Sequence, residues 1–174
     1  MENLGSRPLS DDEHHPVEGT PRDLLRTFSL GMVTGLRSMM PFAVLSGYLE
    51  REGPDIADGG WPIDVLASPW GATVLALAAA GELVADKLPL LPGRVEPLPL
   101  VARVVMGGTV GAAASLAEGR TSDSGALLGS VGGLVGSVLG YTLRMRLSRR
   151  LPGLLVALAE DAVAFSLARW AVTH

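Results

Sequence analysis

The chain reads as a polar lead followed by five apolar blocks. Residues 1–23 carry charge, proline and glycine without apolar periodicity, which predicts a disordered polar tail. The blocks run over Leu24–Leu49, Trp70–Leu88, Leu98–Ala117, Gly125–Leu143 and Leu151–Val172. A helix needs ~20 mostly apolar residues to cross the hydrocarbon of a bilayer, and each block is about that long. A soluble helix would keep a polar face at 3.6-residue spacing, yet the second and fourth blocks are apolar or small all the way round. The predicted fold is all-α: a polytopic transmembrane helix bundle of about five spans over residues 24–174.

Chemistry sets the expected boundaries. Ser68-Pro69 fits an N-cap with proline at the first helical position. Pro89, Pro92, Pro97 and Pro99 predict a non-helical second connection. Asp123 and Ser124 can cap the fourth helix, and Pro152 suits the start of the fifth. Trp61 and Trp70 fit a membrane interface. With the N-terminus in the cytoplasm, nine basic residues fall inside: Arg22, Arg26, Lys87, Arg94, Arg103, Arg144, Arg146, Arg149 and Arg150. Three fall outside: Arg51, Arg120 and Arg169. That bias predicts a multi-pass inner-membrane protein with a cytoplasmic N-terminus.

Glycines repeat every four residues at 125, 129 and 133, again at 132, 136 and 140, and at 107 and 111. Such faces let helix backbones approach closely in lipid. They predict a tightly packed fourth helix, set against the third or across a homo-oligomer.

Charges inside the blocks are the candidate chemistry. A charged side chain in a span costs ~2.5–3.5 kcal/mol on insertion scales and faces a partner or water. Arg37, Glu82 and Glu160 fall at similar depth, with Asp86 one turn from Glu82 and Asp161 beside Glu160. Glu160 and Asp161 lie ~100° apart on a helix, so one can meet Arg37 while the other reaches elsewhere. Lys87 and Arg103 stand at the rim, where they can snorkel. Pro41 removes the hydrogen bond to the carbonyl of Arg37 and, with Ser38 beside it, predicts a kink or break at that charge. Freed backbone groups beside buried charge are how discontinuous helices build ion and substrate sites.

Composition narrows the function. The 174 residues include no cysteine, so disulfides, thiolate metal sites and cysteine nucleophiles are excluded. Three histidines lie at the extremes of the chain, and no metal-ligand pattern surrounds them. The net charge of −4 gives no basic excess for nucleic acid. The mean hydropathy of +0.35 is high for a chain with a polar lead. No HExxH, serine elbow or phosphate loop is present, so no catalytic residue and no cofactor is assigned.

The segments GLRSMMPFAVLS at 35–46, GELVADKLP at 81–89, PGRVEPLPLVARVVMGG at 92–108, GALLGSVGGLVGS followed by GYTLR, and ALAEDAVA at 157–164 carry a resemblance. In that order they resemble the DUF4126 family of small bacterial integral membrane proteins. The resemblance covers roughly residues 28–170. It implies membrane location and supports treating Arg37, Glu82, Asp86, Lys87, Glu160 and Asp161 as one site, without implying an activity. Acids on the second helix of each outer hairpin also resemble the inverted-repeat layout of small transporters. Three readings stay open: a transporter or channel for a small solute, ion or proton; a structural or partner-binding membrane protein with a dry ion-pair network; and, with least support, a membrane enzyme.

Overall fold

The computed structural model describes residues 19–52, 60, 62–85 and 97–173. Among the described residues all regular structure is helical: α1 (Pro21–Leu36), α2 (Met40–Glu52), α3 (Ile63–Leu66), α4 (Pro69–Ala85), α5 (Pro97–Ala117), α6 (Ser122–Leu147) and α7 (Gly153–Thr173). Residues 1–18, Trp61, Asp86, Lys87, Pro89, Pro92 and Arg94 lie outside them, so the readings placed on those residues do too.

Helix starts follow local chemistry. A capping box opens α1: the Thr20 hydroxyl accepts the Asp23 N–H at 3.4 Å, and the Asp23 carboxylate accepts the Thr20 N–H at 2.9 Å. That start lies within the span read as tail. The Ser68 hydroxyl accepts the Gly71 N–H at 2.9 Å and opens α4 at Pro69. Thr121, not Asp123 or Ser124, stands at the cap of α6, because the helix begins at Ser122.

The first apolar block is two helices, broken at Arg37, Ser38 and Met39. The chain also turns back there. On α1, Arg26 Nε donates to the carbonyl of Ala171 at 2.7 Å, while Arg37 pairs with Asp161. So α1 runs antiparallel to α7. On α2, Met40, Gly47 and Arg51 share a cavity wall with Phe165, Arg169 and Thr173, at the end of α7 where α1 began. The two helices therefore form a hairpin whose tip is Arg37–Met39.

This hairpin overturns the five-span reading. A crossing first helix would place Arg26 and Glu118 on opposite sides, but Arg26 Nη1 lies 3.0 Å from Glu118 Oε1. At 1.5 Å per residue α1 reaches about 24 Å and α2 about 20 Å, and because the chain reverses between them their lengths do not add into one span. Among the described residues two helices, α5 and α6, are long and apolar enough to cross a membrane, and α4 is a shorter apolar helix. The two outer hairpins of the inverted-repeat expectation are unlike in helix continuity. The first half holds a broken hairpin, whereas α6 in the second half runs unbroken for 26 residues.

Close backbone approach fixes the core. On α6, Gly125 and Gly129 face Gly111 and Gly107 of antiparallel α5, and Gly133 faces the Arg103 carbonyl. Gly132 and Gly136 face Phe28 and Met32 of parallel α1. Gly129 is the crossing point of all three, since a β-carbon on Gly31 of α1 or on Gly107 of α5 would run into the Gly129 carbonyl. Two buried hydroxyls close on their own helices, Thr34 donating to the Leu30 carbonyl at 3.1 Å and Ser137 to the Gly133 carbonyl at 2.8 Å, while the Ser46 hydroxyl donates across to the Leu66 carbonyl of α3.

Polar side chains are buried alongside an apolar core that includes Leu30, Val33, Leu45, Leu49, Ile63 and Val110. Thr27, Ser29, Thr34, Arg37, Ser46, Ser115, Arg120 and Ser137 are inside. Large apolar side chains stand outside on every long helix, including Trp70 at 74%, Leu98 at 80%, Leu127 at 67% and Leu154 at 59% exposure. An apolar surface of that extent marks an interaction with lipid or protein.

Substituting Gly129 by Ala is expected to lower stability by about 1–3 kcal/mol, the cost of overpacking a tight core. Gly81→Ala, which meets nothing within 4 Å inside α4, is expected to raise the melting temperature slightly, by the ~0.5–1 kcal/mol that alanine gains over glycine in a helix. Thermal unfolding of both purified variants checks this; equal melting temperatures would refute the crossing at Gly129.

Candidate functional site: the charged tip of the hairpin

The tip is built from backbone first. Arg37 leaves the helix in an extended conformation, φ −142° and ψ 109°, with its N–H still bonded to the Val33 carbonyl at 2.7 Å. The next two N–H groups begin a new helix and have no carbonyl four residues back to accept them. Glu82 of α4 supplies both acceptors. Its Oε1 takes the Ser38 N–H at 2.6 Å and its Oε2 takes the Met39 N–H at 2.8 Å. A carboxylate at a helix N-terminus also meets the positive end of the helix dipole. Pro41 follows in the first turn of α2, where its missing N–H leaves no hydrogen bond unmade.

The Arg37 side chain is 1% exposed and forms an ion pair with Asp161 of α7. Breaking a buried pair by removing one partner costs about 3–5 kcal/mol, because the other charge is left in a poor solvent. Glu160, one residue earlier, points away from Asp161 as helix geometry requires. Its Oε2 lies 3.7 Å from Arg144 Nη1 of α6. Leu36, Gly140, Arg144, Val156, Ala159 and Glu160 line a cleft of about 150 Å³ on that side of the tip.

Of the residues singled out by sequence, Arg37, Ser38, Glu82 and Asp161 meet at the tip. Glu160 pairs with α6 beside it. Arg103 is half-buried on α5, with its carbonyl against Gly133. Asp86 and Lys87 lie outside the described residues. Among the described residues no three His, Asp or Glu side chains gather as a metal site.

A second charged cluster escaped the sequence reading. Arg120 donates from Nη2 to the Thr27 hydroxyl at 3.0 Å and from Nε to Glu118 at 3.0 Å. Glu118 in turn holds Arg26, which also reaches the Ala171 carbonyl. These contacts join the start of α1 to the ends of α5 and α7. The local signal was Glu118-Gly119-Arg120, a tight turn with Gly119 at φ +68°. The five-span count hid it by placing Arg26 and Arg120 on opposite sides.

These features define a small helical chain built round a broken hairpin with an ion pair at its tip. The chain belongs to the DUF4126 family, a domain of unknown function, which matches residues 24–174. No curated protein and no solved structure matches it.

Asp161→Asn and Arg37→Gln are each expected to destabilise the fold by about 3–5 kcal/mol, and the double variant by clearly less than their sum. A double-mutant cycle on purified protein measures the coupling. Additive losses would mean that the pair carries no interaction energy. Glu82→Gln keeps the shape but offers one acceptor oxygen in place of two. It is expected to cost about 1–3 kcal/mol, read as a lower melting temperature.

Proposed function

We propose that this is an integral membrane protein whose charged hairpin tip serves the passage of a small solute, ion or proton. The observation that supports the membrane part is the large apolar side chains left exposed along α4, α5, α6 and α7, while Arg37, Arg120 and several serines and threonines are buried with the apolar core. In the proposed arrangement α4, α5, α6 and α7 cross the bilayer, and the α1–α2 hairpin dips in and returns. The nine-to-three charge count assumed a crossing first helix. With the hairpin, Arg22, Arg26, Arg51, Arg120 and Arg169 share one end, and Arg103, Arg144, Arg146, Arg149 and Arg150 the other. Four arginines within seven residues, at 144–150, favour that end as the cytoplasmic one. The proposed orientation therefore puts the start of α1 outside, opposite to the orientation drawn from five spans.

The transport part rests on the tip. Broken helices that face buried charge are how transporters form sites inside a bilayer, and intramembrane ionisable groups mark pathways. Three carboxylates, Glu82, Glu160 and Asp161, stand near the guanidiniums of Arg37 and Arg144, with Arg103 half-buried on α5 beside Gly133. Carboxylates gathered at a helix break suit a cation or a proton. One observation favours a second reading, a dry structural network: both Glu82 oxygens are already engaged by backbone N–H groups.

Single cysteines separate the two readings, since the chain has none of its own. Substitutions at Ser38 and Ala159 are treated with a small charged thiol reagent in intact cells and in inverted vesicles. Labelling at both positions, followed by solute flux, is the expected result. Protection from both sides in a folded protein would retire transport in favour of the dry network. The same reagent tests orientation: Asp123→Cys is expected to react in intact cells and Ser148→Cys only in inverted vesicles.

A further inference from the structure

A cavity of about 440 Å³ lies between α2, α4 and α7, reaching from Met40 and Leu83 beside the tip to Arg51 and Arg169 at the other end. It falls within the 300–1,000 Å³ range of small-molecule sites. Its walls are small and apolar. Ala76, Ala79 and Ala80 share one face of α4 and look toward Gly47 of α2, with Phe165 and Val172 of α7 closing the side. Gly47 differs from the glycines of the α1–α5–α6 core. A β-carbon there would meet nothing within 4 Å, so close helix packing does not account for it. The small residues keep a slot open.

Two arginines stand at one end of this slot, Arg51 in the last turn of α2 and Arg169 on α7. Both are exposed, and neither side chain makes an ion pair or hydrogen bond among the described residues. Of the other arginines of that end, Arg26 and Arg120 are tied to Glu118, and Arg22 is exposed at the start of α1, away from the slot's lining. The hydroxyl groups of Tyr48 and Thr173 line the same end. An apolar slot with cations and hydroxyls at its mouth matches an amphiphile with an anionic head. Basic pockets between membrane helices bind such headgroups on the cytoplasmic side, and the same chemistry stands here at the opposite end.

We propose that this cavity binds one anionic phospholipid, its phosphate held by Arg51 and Arg169 and one acyl chain laid in the alanine slot. This rests on the membrane reading above. A free phosphate would use the arginines but not the slot. A neutral lipid would use the slot but not the arginines.

The test is native mass spectrometry of full-length protein in mild detergent, with phosphatidylglycerol or phosphatidylcholine added. Preferential retention of phosphatidylglycerol is expected. Each surface arginine adds about 1 kcal/mol toward an anionic headgroup, so Arg51→Gln with Arg169→Gln is expected to weaken retention at least about tenfold. Ala79→Leu fills the slot and is expected to abolish it. Should that variant fail to fold, the paired change at two exposed arginines still decides the matter. Arg146→Gln with Arg149→Gln, at the opposite end, is expected to retain lipid like the parent. Equal retention of phosphatidylcholine, displacement by inorganic phosphate, equal loss in the Arg146/Arg149 control, or a dimer mass in place of lipid would each overturn the proposal. Alkaline carbonate extraction separates the two levels. Release into the supernatant would remove the membrane reading and the lipid site together, whereas retention in the membrane without preference for phosphatidylglycerol removes the lipid site alone.

Discussion

The fold depends on satisfying two backbone N–H groups where the chain reverses. A helix that starts in a part-buried, apolar setting leaves N–H donors that need an acceptor, each costly if unmet. Ser38 and Met39 carry those donors, and the carboxylate of Glu82 meets both. That contact fixes where α4 must lie, since Glu82 has to arrive at the tip from the side. The Arg37–Asp161 pair fixes α7 in the same way. One reversal thus positions three helices that are distant in sequence.

A different constraint holds the other side of the molecule. The α1, α5 and α6 helices meet through glycine, and their contact is backbone against backbone. Dispersion over such a surface is strong because many atoms touch at once. It needs no polar group, which frees the polar groups of the chain for the tip and for the Arg26–Glu118–Arg120 cluster. Gly31 and Gly35 set α1 into this core, so the tip is carried by the most closely packed part of the structure.

The sequence made much of this legible. Charge at positions 37, 82 and 161 and proline at 41 located the tip, because ionisable residues within apolar blocks stand out against their neighbours. The glycine spacing located the α5–α6 contact. The reversal at the tip was not legible. Hydropathy averages over Leu24–Leu49 give the same value whether the chain passes straight through or doubles back, and proline predicts a break without its angle. The Arg26–Glu118 pair was lost for the same reason, since a single wrong crossing moves every later loop to the other side. Likewise, nothing local to Glu82 distinguishes a partner for the Arg37 guanidinium from a cap on the backbone beside it.

The two arms of the hairpin have unlike surroundings. The first arm, α1, is locked into the glycine core. The second, α2, has Gly47 facing open space and packs chiefly on α4 and α7. Met40 and Leu83 border the alanine-lined cavity, and their chain neighbours Met39 and Glu82 form the cap at the tip. The cavity and the tip are thus two sides of one α2–α4 contact. A rigid core with a more loosely held arm puts the open volume and the buried charge on the same helices. The capping bond between Glu82 and Met39 is then the point at which any displacement of α2 from α4 must be resisted.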